Sequence, residues 1–311
     1  MFQVARIALA VLAGLALAGS GLPPAQAEGK KIGLAVANLQ AEFFNLIKQS
    51  VEAYGREKGY TVITVDAKGD ATTQVNQIQD LIAQKIYALI YIPAGGTAAA
   101  VPVRAARADR IPVINVDRQA AGAPGDTFIY GQSVAATTAL GKWACEQAKG
   151  TGKAVMIHGQ RGTTPEVDRT KGFTDGLASC GIKVTQHQWT ERWSADEGNK
   201  IAQDMLQRDP SVNIIIGQAD GIALGAVQAV RLARLPRKVW VIGFDGDMGA
   251  LKAVQSGTLD ATATQQTFTM GRMAVDAVTA VLAGKPVPKD QPTDAKVTTR
   301  ANVDVFLKKH P

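Results

Sequence analysis

The sequence predicts two stacked α/β domains, each with a parallel sheet that is covered by helices on both faces. Strand-like segments alternate with amphipathic helical segments along nearly the whole chain, and the cycle restarts near residue 133. Two apolar runs, at 113–116 and 239–242, have the composition of strands that are buried on both sides, as parallel strands are. Two such series in one chain imply two domains.

The first series of elements extends to about residue 130. In the first predicted helix, at about 42–58, apolar residues recur every three to four positions, as in Phe44, Ile47 and Val51, and Gly59 ends it. The other predicted elements of this series are strands at 31–37, 60–65, 87–92, 111–116 and 128–130 and a helix at 72–84.

The second series begins with a helix at 133–149. Its helix at 196–207 is followed by Pro210, and its helix at 166–179 ends near Gly181, as helix stops often do. The other predicted elements are strands at 153–157, 182–187, 212–216 and 239–244 and helices at 220–233, 248–255 and 268–282. The Pro-rich residues after 283 read as a connection between packed elements.

The first 27 residues have the features of a signal peptide. Arg6 is their only charge, residues 7–18 are almost wholly apolar, and Ala25-Gln26-Ala27 matches a small-x-small cleavage site. The apolar run is shorter than the ~20 residues that a membrane-spanning helix needs. An uncleaved anchor or a disordered tail is the alternative. We expect export to the periplasm with cleavage after Ala27.

The net charge bears on the possible partners of the protein, and the cysteines bear on its possible disulfide. Loss of Arg6 lowers the formal charge from +7 to +6, and the basic residues are spread at helical spacing, so we expect no nucleic-acid partner. Two cysteines, Cys145 and Cys180, in an exported chain predict either one disulfide or two buried thiols, and the sequence leaves both open.

The chain carries few signatures of catalysis. No two of its three histidines stand at metal-ligand spacing, and neither a G-x-S-x-G elbow nor a Walker phosphate loop occurs. His158, at a predicted strand end, could be a base, but a structural histidine is the commoner outcome. Gly95-Gly96-Thr97 lacks the G-x-G-x-x-G spacing of dinucleotide sites. We therefore expect no enzyme activity, no metal and no cofactor.

Each half of the chain places a carboxylate where a predicted parallel strand ends. Asp117 follows the strand at 111–116, with Arg118 beside it, and Asp245 follows the strand at 239–244. Ligands of open α/β sheets bind outside the carboxyl ends of such strands. Acceptors and donors that meet from two halves suit a small molecule rich in hydroxyl groups.

Several short motifs in order give the whole mature chain its resemblance to a known family. They are Phe43-Phe44, Ile111-Pro-Val-Ile-Asn-Val-Asp117-Arg118-Gln119, Arg169 before Lys171-Gly-Phe173, Trp193, Gln218-Ala-Asp220, Val241-Ile-Gly-Phe-Asp245-Gly246 and Ala261-Thr-Ala-Thr-Gln265. With these motifs the chain resembles the periplasmic sugar-binding proteins of the ribose-binding type, the receptors of ABC importers.

The resemblance implies two Rossmann-like lobes, joined by a three-strand hinge, that close on one sugar. The N-terminal lobe would comprise 28–131 and 266–292, and the C-terminal lobe 132–265 and 293–311. Family positions that stack on the sugar ring match Phe43, Phe44 and Trp193. Positions that bind its hydroxyls match Asp117, Arg118, Arg169, Asp245 and Gln265.

Each of these residues has a plainer alternative. Phe44 also fits the core face of its helix, Asp117 and Arg118 could form a simple loop ion pair, and Arg169 could be a surface charge. Asp245 could only cap a turn. Asp220 is a further ligand candidate, although it could instead cap the helix that follows it.

Three alanines depart from the family pattern. Ribose binders of this family have small polar side chains at the positions of Ala37, Ala41 and Ala219, which makes ribose itself doubtful. Asn38, Gln40 or Gln218 could compensate, but strand alternation argues that they point elsewhere. A different sugar, a deoxy sugar, a polyol or a cyclitol would fit better.

The leading hypothesis is a periplasmic substrate-binding protein that captures a monosaccharide or polyol and delivers it to an ABC permease. We expect a monomer, with a chemoreceptor as a further candidate partner. One alternative is a sugar-sensing regulator domain, but an apolar leader stands where a DNA-binding headpiece would be. The other is an enzyme that acts on a sugar or nucleoside with the same fold.

Overall fold

The computed structural model of the chain describes residues 29–96 and 98–310. The predicted signal peptide, at 1–27, lies outside the described residues. Within them, no helix combines the length and the apolar character that a membrane span requires.

Twelve strands and ten helices make up the described part of the chain. The strands are β1 (Lys30–Val36), β2 (Tyr60–Asp66), β3 (Ala88–Tyr91), β4 (Val113–Val116), β5 (Thr127–Gly131), β6 (Ala154–His158), β7 (Val184–Trp189), β8 (Ile214–Gly217), β9 (Trp240–Ile242), β10 (Ala261–Thr264), β11 (Asp290–Thr293) and β12 (Lys296–Thr299). The helices are α1 (Glu42–Glu57), α2 (Ala71–Ala83), α3 (Ala100–Ala108), α4 (Ser133–Gln147), α5 (Thr164–Ala178), α6 (Ala195–Arg208), α7 (Asp220–Ala233), α8 (Met248–Ser256), α9 (Thr267–Leu282) and α10 (Val303–Leu307).

The strands form two six-stranded sheets with matching topology. The first has the order β11-β5-β4-β3-β1-β2 and is parallel throughout. The second has the order β12-β10-β9-β8-β6-β7, and only β12 runs antiparallel to its neighbour within the described chain. We call the first sheet with α1, α2, α3 and α9 the N-lobe, and the second sheet with the remaining helices the C-lobe. The predicted fold class is confirmed.

The chain passes between the two lobes at three places: between β5 and α4, between β10 and α9, and between β11 and β12. All three segments are short, at 131–133, 264–267 and 293–296. Three short connections of this kind can act as a hinge about which two compact units rotate.

Central strands are buried on both faces, as their apolar composition predicts. Every residue of β4 and of β8 is buried. Helices pack closely where glycines meet: a Cβ at Gly141 of α4 would lie 2.9 Å from the Cα of Gly176 in α5. The helix α3 was not predicted; its sequence is rich in alanine and has Pro102 in the first turn.

A disulfide joins α4 to the end of α5. The Cα atoms of Cys145 and Cys180 are 6.0 Å apart and their sulfur atoms are bonded. Of the two alternatives that the sequence left open, the structure has the disulfide.

Candidate ligand-binding cleft

A cavity of about 280 Å³ lies between the two lobes, at the carboxyl ends of their strands. Its lining includes seven of the nine residues predicted for the site: Phe43, Phe44, Asp117, Arg118, Arg169, Trp193 and Asp245. Three of them, Asp117, Trp193 and Asp245, have positive φ angles of 60°, 60° and 134°. Non-glycine residues rarely adopt such angles, and they concentrate at functional sites.

The N-lobe contributes an acid and a guanidinium that are adjacent in the chain. Asp117 follows β4 directly, and its Oδ2 lies 3.4 Å from Nε of Arg118. Nη1 of Arg118 donates a hydrogen bond of 3.0 Å to the carbonyl oxygen of Pro93, which holds the side chain across the mouth of the sheet. The pair is thus an ion pair and part of the cavity wall at once.

The C-lobe contributes the same two groups from different elements. Asp245 lies beyond β9, and its Oδ1 is 3.1 Å from Nη2 of Arg169, a residue of α5. Nη1 of Arg169 donates to the carbonyl oxygen of Gln218 at 2.6 Å. Arg169 is buried, with 2% of its surface exposed, so it is not the surface charge that was the alternative.

Aromatic rings enclose the guanidinium groups. The rings of Phe43 and Phe44 meet edge to face, with centroids 5.2 Å apart. The guanidinium carbon of Arg118 lies 5.1 Å from the ring centre of Phe44 and 5.3 Å from that of Trp193, within cation–π range. The ring of Trp193 lies against Gly159, where any side chain would collide with it.

Two predicted site residues, Asp220 and Gln265, do not line this cavity. The fully buried carboxylate of Asp220 accepts hydrogen bonds from Oγ1 of Thr262 and from the backbone N–H groups of Gly246 and Asp247. Nε2 of Gln265 donates to Oδ1 of Asp245 at 2.9 Å. Both residues therefore contact the loop that carries Asp245, and their role as ligand-binding residues stays a prediction.

Sequence reasoning missed several polar residues of the lining: Asn38, Gln40, Glu42, Arg192, Ser194 and Asp247. Strand alternation was the wrong argument for Asn38 and Gln40, because β1 ends at Val36 and both residues lie in the turn beyond it. For Gln218 the argument reached the right result, since its amide hydrogen-bonds Gly159 and Thr170 instead. The spacing of Asp247, two residues after Asp245 at a strand mouth, was a usable signal.

Burial changes the acidity of the carboxyl groups in the cleft. It raises the pKa of Asp117, although the positive charges of Arg118 and Arg169 lower it. Burial raises the pKa of Asp245 to about 7; Arg169 lowers this pKa and the neighbouring Asp220 raises it. Burial also raises the pKa of Asp247 well above its usual value.

The lobes touch at the rim of the cavity. The backbone N–H of Met248 in the C-lobe donates a 3.0 Å hydrogen bond to Oε1 of Glu42 in the N-lobe. The N–H of Gln119 donates to Oγ1 of Thr164 across the cleft at 3.2 Å. These two hydrogen bonds join the lobes directly beside the cavity.

His158, the candidate base, lies outside the cavity. It is buried, and its ring nitrogens hydrogen-bond His187, Glu166 and Thr170 within the C-lobe. Among the described residues, no group of histidine, cysteine and acidic side chains could hold a metal ion.

Two α/β lobes that close on a cavity lined by paired charges and aromatic rings define a two-lobed ligand-binding protein. The family model for the periplasmic binding protein domain matches residues 32–286 of this chain. The chain belongs to this family.

Related proteins match over nearly the whole chain. A ribose import binding protein of Haemophilus influenzae is 30% identical over 297 residues, which cover 96% of this chain and 99% of that protein. An ABC transporter solute binding protein of Mycobacterium smegmatis, solved with bound glycerol, is 28% identical, with a TM-score of 0.84 and coverage of 89% and 96%. The Caulobacter myo-inositol binding protein, solved with myo-inositol, is 26% identical, with a TM-score of 0.83 and coverage of 93% and 100%.

Proposed function

We propose that this protein is the periplasmic substrate-binding protein of an ABC importer and captures a monosaccharide or polyol. One observation carries the proposal: each lobe presents a carboxylate and a guanidinium to the same cavity, and aromatic rings from both lobes lie beside them. The names of the relatives, for ribose import, glycerol and myo-inositol, support this class of ligand.

The chemistry of the cavity suits a ring rimmed with hydroxyl groups. A carboxylate accepts hydrogen bonds from two hydroxyls, while a guanidinium donates several in a fixed fork. The apolar C–H faces of a sugar or cyclitol pack against aromatic rings. Asp117 and Arg118 would bind one side of the ligand, Asp245 and Arg169 the other, and Phe43 and Trp193 its faces.

Capture works through closure of the two lobes. We place the lobe boundaries at 28–131 with 266–292, and at 132–265 with 293–311, so that the three crossing segments act as the hinge. A ligand that contacts residues of both lobes favours the closed form, because those contacts are incomplete when the lobes are apart.

The closed form is also what a partner would recognise. We propose that a monomer, exported to the periplasm after cleavage following Ala27, delivers the ligand to its permease and that a chemoreceptor can read the same closed surface. We propose binding without catalysis, and the place of the candidate base His158, which hydrogen-bonds His187 outside the cavity, supports this. Ribose fits poorly, because Ala41 and Ala219 line the cavity without polar groups.

A thermal-shift screen of the mature protein tests the proposal. Pentoses, hexoses, deoxy sugars, polyols and inositols are each added at millimolar concentration. A compound present at a hundred times its Kd adds about 2.7 kcal/mol of stability, which raises the melting temperature by several degrees. Calorimetry then gives the Kd. A screen in which no compound of these classes shifts the melting temperature would contradict the proposal.

A further inference from the structure

His158 lies behind the cleft, at the end of β6. It is 1% exposed and does not line the cavity. Its ring nitrogens have partners on two neighbouring elements. Nδ1 lies 3.2 Å from Oε1 of Glu166 and 3.0 Å from Oγ1 of Thr170, both in α5, and Nε2 lies 2.8 Å from Nδ1 of His187 in β7. The buried ring therefore joins α5 and β7 to the strand β6.

The carboxylate of Glu166 determines where this ring carries its proton. Burial raises the pKa of the carboxyl group, but hydrogen bonds from His158, from the N–H of Gly162 and from Trp189 outweigh burial, so this pKa lies below its ordinary value. An ionised carboxylate only accepts hydrogen bonds, so Nδ1 of His158 carries a proton and donates to it. In the neutral ring, Nε2 then accepts from Nδ1–H of His187. The orientation of the ring is thus fixed from both sides.

Both partners of Nδ1 stand on the turn of α5 that carries Arg169. Glu166 precedes Arg169 by three residues and Thr170 by four, and positions three and four apart are neighbours on the surface of a helix. A donor from β6 that contacts positions 166 and 170 fixes the rotation of this turn against the sheet. The backbone from which the side chain of Arg169 starts is therefore held by His158.

A second connection between His158 and Arg169 runs through Gln218, the residue after β8. Its Nε2 donates at 2.8 Å to Oγ1 of Thr170, the hydroxyl that also contacts His158. Its Oε1 accepts the N–H of Gly159, the residue after His158. Its backbone carbonyl oxygen accepts a hydrogen bond of 2.6 Å from Nη1 of Arg169. The residue that holds the guanidinium is thus held by the surroundings of His158.

These contacts converge on a side chain of the cavity wall. Nη2 of Arg169 lies 3.1 Å from Oδ1 of Asp245, and its guanidinium carbon lies 4.0 Å from the ring centre of Phe244. A free arginine side chain has many rotamers, and a site that fixes one of them before the ligand arrives loses less entropy on binding. The arrangement of α5 is therefore part of the binding geometry.

We propose that His158 is a positioning residue for ligand binding, because its contacts with α5 hold Arg169 in the conformation that meets the ligand. The inference rests on the proposed function, in which Arg169 binds hydroxyl groups, and it adds a residue outside the cavity to the site. Glu166 and Thr170 transmit the constraint to α5. His187 supports it from the surface, since its contact with Nε2 keeps the ring of His158 in place.

The first measurement needs no ligand and follows the pKa of Asp245. An NMR titration of carboxyl groups gives this pKa, and Asp245→Asn identifies the signal by removing it. Arg169 lowers the pKa of Asp245, while Asp220 and Asp117 raise it. In His158→Leu we expect a displaced Arg169 and hence a higher pKa of Asp245, in the direction that Arg169→Ala gives. His158→Asn, whose amide nitrogen can replace Nδ1 as a donor, should stay closer to the unmodified protein.

The second measurement is the affinity for the best ligand of the sugar and polyol screen. Calorimetry should show about tenfold weaker binding in His158→Leu, a part of the ten- to hundredfold loss expected when the charged donor itself is removed. In the Arg169→Ala background, His158→Leu should weaken binding further by less than about twofold, because residues that act through one another are not additive. Gln188→Ala, which removes a hydrogen bond with Asp204 on the opposite face of β7, is the control and should leave the affinity unchanged.

The outcomes separate this inference from the proposed function. An unchanged pKa of Asp245 in His158→Leu, or losses of affinity that add fully in the double variant with Arg169→Ala, would overturn the inference while the proposed function stands. If His158→Leu does not fold, Thr170→Val, which removes the hydroxyl between His158 and Gln218, takes its place with the same expected results. A screen that yields no ligand would overturn the proposed function, and the titration of Asp245 would still decide whether His158 positions Arg169.

Discussion

The two lobes present the same chemical pair to the cleft but assemble it differently. In the N-lobe, Asp117 and Arg118 are neighbours in the chain and come from one strand end. In the C-lobe, Asp245 comes from a strand end and Arg169 from a helix far away in sequence. The N-lobe pair is therefore local, whereas the C-lobe pair depends on correct packing of α5 against the loop after β9.

The lobes also differ in how many carboxyl groups they bury near the cleft. On the C-lobe side, Asp220 at the start of α7 accepts hydrogen bonds from the loop that carries Asp245 and Asp247, and Arg169 pairs with Asp245. On the N-lobe side, Asp117 is buried beside one guanidinium of its own. We conclude that the buried carboxyl groups of the C-lobe make the larger contribution to the pH dependence of stability, and that Asp117 of the N-lobe makes the smaller one.

The largest effect expected from this difference is a loss of stability as the pH rises. Burial raises the native pKa of Asp245 to about 7, while an aspartate of the unfolded chain titrates near pH 4, about its ordinary value. Its contribution is fully present below about pH 4 and is lost as the pH rises through about 7, a change on the order of 4 kcal/mol for one such group.

Urea unfolding of the ligand-free protein between pH 4.5 and 8 (roughly the window that these pKa values bracket) measures this loss. Asp245→Asn should remove a larger part of this slope than Asp117→Asn does, while Asp220 and Asp247, whose pKa values burial also raises, keep the remainder. Equal slopes in both variants would refute the contrast between the lobes.

Reduction of the disulfide is the second test of the difference between the lobes, since both of its cysteines lie in the C-lobe. Closing a loop of 35 residues stabilises by about 3–4 kcal/mol in the chain-entropy model. Reduction should therefore lower the free energy of unfolding by that amount, with faster hydrogen exchange in α4 and α5 and little change in α1 and α9. The variant with both Cys145→Ala and Cys180→Ala should not respond to reductant. Two free thiols in the denatured, unreduced protein would refute the bond.

The third and smallest effect concerns the affinity for the ligand. Arg118→Ala and Arg169→Ala should each weaken binding of the best ligand from the screen by about ten- to a hundredfold, because each removes charged donors from the cavity. Calorimetry measures the loss. Arg208→Ala, which breaks an exposed pair with Asp204, is the control. A large loss in only one of the two cavity variants would mean that one lobe carries the binding.

The sequence was most informative where one local rule decides the outcome. The alternation of strand-like and helical segments predicted both sheets. The rule that ligands bind at the carboxyl ends of parallel strands predicted that Asp117 and Asp245 line one cavity. Asp220 and Gln265 could not be placed this way, because a side chain near a strand mouth can face the cavity or support the loop beside it. That choice depends on tertiary partners such as Thr262, which no local pattern reveals.

Residues just beyond strand ends were the other source of error. Asn38 faces the cavity because the chain turns after Val36, and the period of two that holds within a strand stops there. Glu42 lines the cavity from the first turn of α1, where the predicted helical pattern marked only the apolar face. The resemblance to known receptors covered the positions that the family shares and could not point to Asp247.

The contact between Glu42 and Met248 has a consequence for the resting protein. At the N-terminus of α8, the N-cap residue Asp247 makes no side-chain capping hydrogen bond within the described chain, and the N–H of Met248 takes its acceptor from the opposite lobe. A capping hydrogen bond of this kind stabilises a helix by about 0.5–2 kcal/mol. Separation of the lobes would break this hydrogen bond and leave the N-terminus of α8 uncapped. The contact therefore favours the arrangement of the lobes seen here even in the absence of ligand.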